Sequence, residues 1–177
     1  SVLKSILGQT FLLQGKVTVN GKIGYVPDAP QFLNASLRSN ILLERPFDEE
    51  RFLEVLRLSG VDKESKKVPG GLLHVVDAKL SALDSRLGLL VCLARELYGD
   101  PDILLLDDFL DHLGPQTART VFQRVILEEF MFKGKTVILA TPNLRFLNQA
   151  SRVVFLDDGR ILKDGPYAEV MANRRFS

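Results

Sequence analysis

The distribution of apolar and polar residues predicts a chain in which helices and strands alternate. The clearest helical pattern lies over roughly 49–58, where Phe52, Val55 and Leu56 recur at spacings of three and four residues and therefore share one face. Asp48 directly precedes this segment and is the type of residue that caps a helix N-terminus. We therefore expect a capped, amphipathic helix here.

Further helices are predicted by the same spacing or by residues that favour helix ends. Asn34 or Ser36 is suited to cap a helix that follows them. The segment 85–98 is apolar almost all round, which indicates either deep burial or contact with a partner. The remaining predicted helices are a tail over 2–8 that Gly8 ends, a helix that begins at Pro115 and a last helix near Pro166.

Two kinds of strand are predicted. The segments 102–108 and 136–140 are continuous apolar runs, which are typical of strands buried on both faces of a sheet. The segments 16–26 and 152–165 alternate around an Asn-Gly and an Asp-Gly pair, respectively, and each predicts a β-hairpin. Because strands alternate with helices, we expect an α/β fold with a mostly parallel sheet.

The predicted elements divide the chain into two regions of one domain. Residues 1–34 and 99–177 carry the strands of the α/β core, whereas residues 35–98 are mostly helical and form an inserted lobe. A length of 177 residues fits a single domain of this kind.

Composition narrows the classes of function. The 23 Lys and Arg residues nearly balance the 22 Asp and Glu residues, and the net charge of +1 does not indicate nucleic acid as a partner. The single cysteine, Cys92, excludes an internal disulfide and fits a reducing compartment. No apolar run reaches the roughly 18 residues that a transmembrane helix needs, so we expect no membrane span in this chain.

Candidate chemistry lies where the apolar strand 102–108 ends in Asp107 and Asp108. An apolar strand of this kind is typical of a Walker B element, which brings carboxylates to the ligand-binding edge of an α/β sheet. Asp107 could hold Mg²⁺ directly or through water, and Asp108 could orient a water molecule or act as a base. The alternative is a buried strand that ends in a solvated acidic turn.

Four long segments, in the right order, resemble the nucleotide-binding domain of ATP-binding cassette (ABC) transporters. The resemblance is greatest to the first such domain of subfamily C, the multidrug-resistance-protein type. The segments are 21–42, "GKIGYVPDAPQFLNASLRSNIL"; 93–108, "LARELYGDPDILLLDD"; 135–147, "KTVILATPNLRFL"; and 150–171, "ASRVVFLDDGRILKDGPYAEVM". Together they span nearly the whole chain.

The resemblance implies a P-loop NTPase-type fold with a helical subdomain at 35–98. In that family two such domains pair, bind ATP and Mg²⁺ between them, and contact transmembrane domains at the cytoplasmic face of a membrane. The resemblance therefore implies ATP and Mg²⁺ as cofactors. It also implies a second nucleotide-binding domain and transmembrane domains as partners.

Several positions depart from the family pattern. The family's phosphate-binding loop, Walker A, would end just before Ser1, so we expect an N-terminally truncated fold. Asp28 stands in the place of the Q-loop glutamine and lacks its donor. Pro142 stands in the place of the switch histidine and has no side-chain donor for a phosphate. Asp108 replaces the usual catalytic glutamate and is one methylene shorter.

The family's signature sequence "LSGGQ" aligns without gaps with residues 83–87, "LDSRL". In this alignment Asp84 adds a negative charge and Arg86 adds bulk where the family has Ser and Gly near a phosphate, and Ser85 lies between them. Arg86 could itself pair with a phosphate. The alternative role of Asp84 is structural, as the cap of helix 85–98.

The D-loop position, 109–114, does not match the family pattern. It contains His112, for which solvent exposure is the expectation, and His74 has no evident partner in the sequence.

Because five catalytic elements are absent or altered, we expect a degenerate nucleotide-binding domain that couples ATP-dependent closure to transport with little hydrolysis. One alternative is a structural or interaction module that binds no nucleotide. Another is an active ATPase whose Walker A lies upstream.

Overall fold

A computed structural model describes residues 2–76 and 85–172. Its backbone forms two compact units that meet in sequence at Thr141 and Pro142. The sequence-based division into 1–34 and 99–177 with an inserted lobe at 35–98 stays a prediction.

The first unit contains most of the regular structure. Its helices are α1 (Val2–Ile6), α2 (Leu37–Leu42), α3 (Glu49–Ser59), α4 (Val61–Glu64), α5 (Ser85–Tyr98) and α6 (Pro115–Val121). Its strands are β1 (Ile23–Val26), β2 (Ala35–Ser36), β3 (Val75–Val76), β4 (Ile103–Asp107) and β5 (Thr136–Ala140). The second unit contains β6 (Val153–Asp157), β7 (Arg160–Gly165) and α7 (Tyr167–Ala172).

The first unit contains a parallel sheet of three strands, in the order β1-β4-β5. Ile23 of β1 lies opposite Ile103 of β4, which in turn lies opposite Thr136 of β5. The core of β4 is fully buried, as the continuous apolar run predicts. The parallel pairing confirms the predicted α/β class.

The predicted hairpin over 16–26 is wrong. Only Ile23–Val26 forms a strand there, and it pairs in parallel with β4. The Asp102 carboxylate accepts a hydrogen bond from the backbone N–H of Lys22 at 2.7 Å, and Asp102 N–H donates to the Lys22 carbonyl at 2.9 Å. Gly21 has a left-handed φ of 122°, and a Cβ there would lie 2.9 Å from Cβ of Asp102. The Asn-Gly pair therefore leads into β1 rather than forming a hairpin turn.

The capping predictions are confirmed for α2 and α3. The Ser36 hydroxyl accepts a hydrogen bond from Ser39 N–H, and the Asp48 carboxylate accepts one from Arg51 N–H. These bonds satisfy N–H groups that a helix start leaves without a backbone partner. Gly60 ends α3 in the left-handed conformation, with φ 85°.

Burial explains the apolar helix α5. From Leu87 to Ala94 every residue of this helix is buried, which supports the first of the two explanations offered by the sequence. Strand β5 differs from expectation, since it is half-buried rather than buried on both faces. It is the last strand of the three-stranded sheet.

The helix that begins at Pro115 is longer than α6 alone, because Phe122–Met131 continues it as a π-helix. The apolar positions that predicted it are buried in both parts: Ala118, Val121, Phe122, Val125 and Ile126. The hairpin of β6 and β7 turns at Asp158 and Gly159, as predicted. Among the helices of residues 2–76 and 85–172, none combines the length and apolar character that a membrane crossing requires.

Candidate functional site at the sheet edge

The carboxyl ends of β1 and β4 bring polar groups to one edge of the parallel sheet. Asp107 is the last residue of β4 and lies opposite Ala140 at the end of β5. The hydroxyl of Tyr25, on β1, donates a hydrogen bond to Asp107 Oδ2 at 3.1 Å. The site therefore starts from a carboxylate that a neighbouring strand holds in place.

The electrostatics of Tyr25 show which carboxylates face it. The pKa of Tyr25 is raised to about 12 by burial, by the hydrogen bond to Asp107, and by the negative charges of Asp107 and Asp28. Asp28 is exposed and follows β1 by two residues. Asp28 and the end of β4 are thus close enough to act on the same hydroxyl.

Asp108 continues the acidic edge with left-handed backbone angles. Its φ is 49°, and its N–H donates to the Ala140 carbonyl at 2.9 Å. Burial and the neighbouring Asp111 raise the pKa of the Asp108 carboxyl, whereas His112 opposes that rise. His112 Nε2 lies 3.6 Å from Asp108 Oδ2 and half of its side chain is exposed.

Asp111 connects this edge to the residue after β5. The Thr141 hydroxyl donates a hydrogen bond to Asp111 Oδ2 at 2.6 Å. We call Tyr25, Asp28, Asp107, Asp108 and Asp111 the sheet-edge cluster. Neither Tyr25 nor Asp111 was predicted from the sequence as a site residue. The parallel register of β1 with β4 would have indicated Tyr25, but it requires the correct partner for β1.

The donor chemistry of the sheet-edge cluster fits a hard cation that needs few protein ligands. In the described part of the chain, no three His, Cys, Asp or Glu side chains converge to hold a metal by themselves. Mg²⁺ is commonly bound through one or two carboxylates, with water and substrate phosphates completing its coordination. Asp107 fits that role, and Asp108 is its neighbour.

Of the residues predicted at the signature positions, Ser85 and Arg86 lie at the start of α5. Ser85 is exposed and begins the helix, whereas Asp84 lies outside the described residues. The Arg86 guanidinium lies 3.3 Å from Glu64 Oε2, and the two side chains are 36% and 17% exposed. Glu64 also forms an ion pair with Lys67 at 2.7 Å. Arg86 therefore connects α5 to α4 within the same chain.

The loop after β1 is fixed against α5 by close packing and hydrogen bonds. Arg95 donates to the Gln31 carbonyl at 2.9 Å and to the Asn40 carbonyl at 2.8 Å. The fully buried Asn40 side chain accepts from Leu33 N–H at 2.8 Å. A Cβ added at Gly88 would lie 2.9 Å from the side chain of Pro30. These contacts therefore hold the segment that follows Asp28 against α5.

Pro142 and His74 are the two remaining candidates from the sequence. Pro142 follows Thr141, begins the second unit and is exposed. His74 Nδ1 lies 3.0 Å from the Pro69 carbonyl oxygen, so the backbone supplies the partner that the sequence did not indicate.

Comparisons with known proteins match nearly the whole chain. It is 32% identical over 174 residues to Multidrug resistance protein mrp-7 of Caenorhabditis elegans. It is 33% identical over 171 residues to ATP-binding cassette sub-family C member 4 of Homo sapiens. It is 32% identical over 178 residues to ABC transporter C family member 3 of Dictyostelium discoideum. These alignments cover 97–100% of this chain but 11–13% of the relatives' length. No protein-family model matches the chain.

Proposed function

We propose that this chain, which belongs to subfamily C of the ABC transporters, acts as a degenerate nucleotide-binding domain. In this role it binds ATP with Mg²⁺ and couples nucleotide-dependent closure to transport, while it hydrolyses little or no ATP itself. The relationship to these transporters over nearly the whole chain carries the proposal.

The sheet-edge cluster supports the choice of cofactor. Asp107 would hold Mg²⁺ directly or through water, and the bound cation would neutralise charge on the nucleotide phosphates. The relatives' names describe ATP-binding cassette proteins, so ATP is the nucleotide that we expect.

Three positions support weak hydrolysis. Asp108 lies where the family has a catalytic glutamate, and burial and Asp111 raise the pKa of its carboxyl. Pro142 offers no side-chain hydrogen-bond donor to a phosphate. Arg86 forms an ion pair with Glu64 at a position where the family has a glycine that leaves room for a phosphate.

The chain spans only 11–13% of the relatives that it matches, so the partners belong to the proposal. We propose a second nucleotide-binding domain, which would complete the ATP site, and transmembrane domains, which would receive the movement. The location that follows is the cytoplasmic face of a membrane, as part of a larger transporter.

Calorimetry and a hydrolysis assay test the proposal. We expect the purified chain to bind ATP in the presence of Mg²⁺, and to release no phosphate from ATP above background. If the chain hydrolyses ATP and loses that activity when Asp108→Asn is introduced, the proposed lack of hydrolysis is wrong.

One observation favours a second candidate function, that of an interaction module without nucleotide. Arg86, at the predicted signature position, forms an ion pair with Glu64 of the same chain. Its positive charge is therefore already paired within the chain. Absence of any ATP binding in the calorimetric titration would favour this candidate over the first.

A further inference from the structure

We infer that Tyr25 is a positioning residue for the cation site, because its hydroxyl holds the Asp107 carboxylate from a neighbouring strand. The inference rests on the proposed function, in which Asp107 holds Mg²⁺. It concerns a residue that contributes no ligand itself and acts through the ligand.

The register of the sheet places the hydroxyl where it is needed. Tyr25 lies opposite Leu105 of β4, two residues before Asp107. Its half-buried side chain extends toward the end of the strand, and the hydroxyl donates to Asp107 Oδ2 at 3.1 Å. A carboxylate offers two oxygens, so one donor on Oδ2 restricts rotation of the group and still permits a cation to bind.

The backbone of Tyr25 is anchored on its other side. Its N–H donates to Glu96 Oε2 of α5 at 3.4 Å. The preceding Gly24 packs so closely that a Cβ there would lie 3.0 Å from the side chain of Pro101. The helix α5 and the connection to β4 therefore fix the backbone of Tyr25. The hydroxyl extends from this fixed backbone to Asp107.

The chemistry of the hydroxyl suits a permanent donor. The ordinary pKa of a tyrosine hydroxyl is about 10. The phenol therefore keeps its proton at neutral pH and donates a hydrogen bond to the Asp107 carboxylate. Groups that hydrogen-bond to metal ligands orient them, and their loss typically weakens metal affinity by about 10- to 100-fold.

The decisive variant is Tyr25→Phe, which keeps the ring and removes the hydroxyl. Tyr98→Phe is the matched control, since the Tyr98 hydroxyl donates to the Pro46 carbonyl at 2.6 Å and accepts from Asp48 N–H at 2.9 Å. Both variants lose a hydrogen-bonded hydroxyl, but of the two tyrosines only Tyr25 contacts Asp107.

The experiment measures binding of Mn²⁺, a paramagnetic substitute for Mg²⁺, to the full chain in the presence of ATP. Water-proton relaxation, which is enhanced when Mn²⁺ is held on the protein rather than on free ATP, gives the dissociation constant, and thermal unfolding is recorded for the same samples. We expect Tyr25→Phe to raise the Mn²⁺ dissociation constant by about 10- to 100-fold. We expect Tyr98→Phe to lower Tm and to leave the dissociation constant unchanged.

Three results would overturn the inference, and they are distinguishable. An unchanged Mn²⁺ dissociation constant in Tyr25→Phe removes the positioning role while the proposed function stands. Equal losses in both tyrosine variants would show a general effect on the fold. If the unaltered chain binds no Mn²⁺ with ATP, the proposed function fails and the inference falls with it.

Discussion

At the scale of single residues, Asp108 combines an unusual backbone conformation with an unfavourable charge. Its φ of 49° is one that aspartate and asparagine tolerate better than most residues. Burial and Asp111 raise the pKa of its carboxyl from the ordinary value. The folded state therefore binds a proton at Asp108 more readily than the unfolded state does, and ionisation of this group costs stability.

We expect Asp108→Asn to stabilise the chain at neutral pH by about 0.5 kcal/mol, a small value because solvent screens a partly exposed carboxylate. The gain should be full above the raised folded-state pKa and should disappear as the pH falls below the ordinary aspartate value of about 3.9. Urea unfolding as a function of pH measures it.

Asp158→Asn is the control for that measurement, since Asp158 has a similar φ of 43° in the turn between β6 and β7. A pH-independent gain that appears equally in both variants would mean that asparagine merely suits the left-handed backbone. The charge of Asp108 would then not be the cause.

At the scale of elements, Gly88 shows how α5 and the loop after β1 depend on each other. Replacement of glycine by alanine in a helix interior usually stabilises by about 1 kcal/mol. Here a Cβ would lie 2.9 Å from Pro30 Cγ and 3.2 Å from Phe32 Cζ. The proline ring has little freedom to move aside, and overpacking of this kind typically costs about 1–3 kcal/mol.

We therefore expect Gly88→Ala to destabilise the chain, against the sign that helix propensity alone would give. Denaturant unfolding should show a net loss of about 1 kcal/mol, the difference between these two effects. Hydrogen exchange should show faster exchange at Leu33 N–H, which donates to Asn40 Oδ1 in this loop. Ser85→Ala, at an exposed position of the same helix, should leave that exchange rate unchanged. A stabilised Gly88→Ala variant would contradict the packing argument.

The same elements show what local sequence can and cannot predict. The buried strand β4, the capped helix α3 and the hairpin at Asp158 follow from periodicity and turn residues, which act within a few positions. The predicted hairpin over 16–26 is wrong because Lys22 is hydrogen-bonded to Asp102. Asp102 is distant in sequence, so a local pattern does not indicate this contact. Because Tyr25 reaches Asp107 only through the parallel register of β1 with β4, that contact was equally beyond a local pattern.

At the scale of the whole molecule, charge is balanced overall but not at the site. The net charge is +1, whereas the sheet-edge cluster contains the carboxyl groups of Asp28, Asp107, Asp108 and Asp111. Nucleotide phosphates carry the same sign of charge, so they repel this edge until a cation lies between them. Under the proposed function, a bound cation is therefore a condition for nucleotide binding rather than an addition to it.

We accordingly expect removal of Mg²⁺ by EDTA to abolish ATP binding to the chain, as measured by calorimetry at constant ionic strength. Asp28→Asn should partly restore ATP binding without Mg²⁺, because it removes one repulsive charge. Asp28 is exposed and takes no part in the hydrogen bond between Tyr25 and Asp107. Glu50→Gln in α3, also exposed, removes the same charge away from the sheet edge and should restore nothing. Equal affinity for ATP with Mg²⁺ and with EDTA would show that the carboxylates at this edge do not face the phosphates, and would move the nucleotide site elsewhere on the molecule.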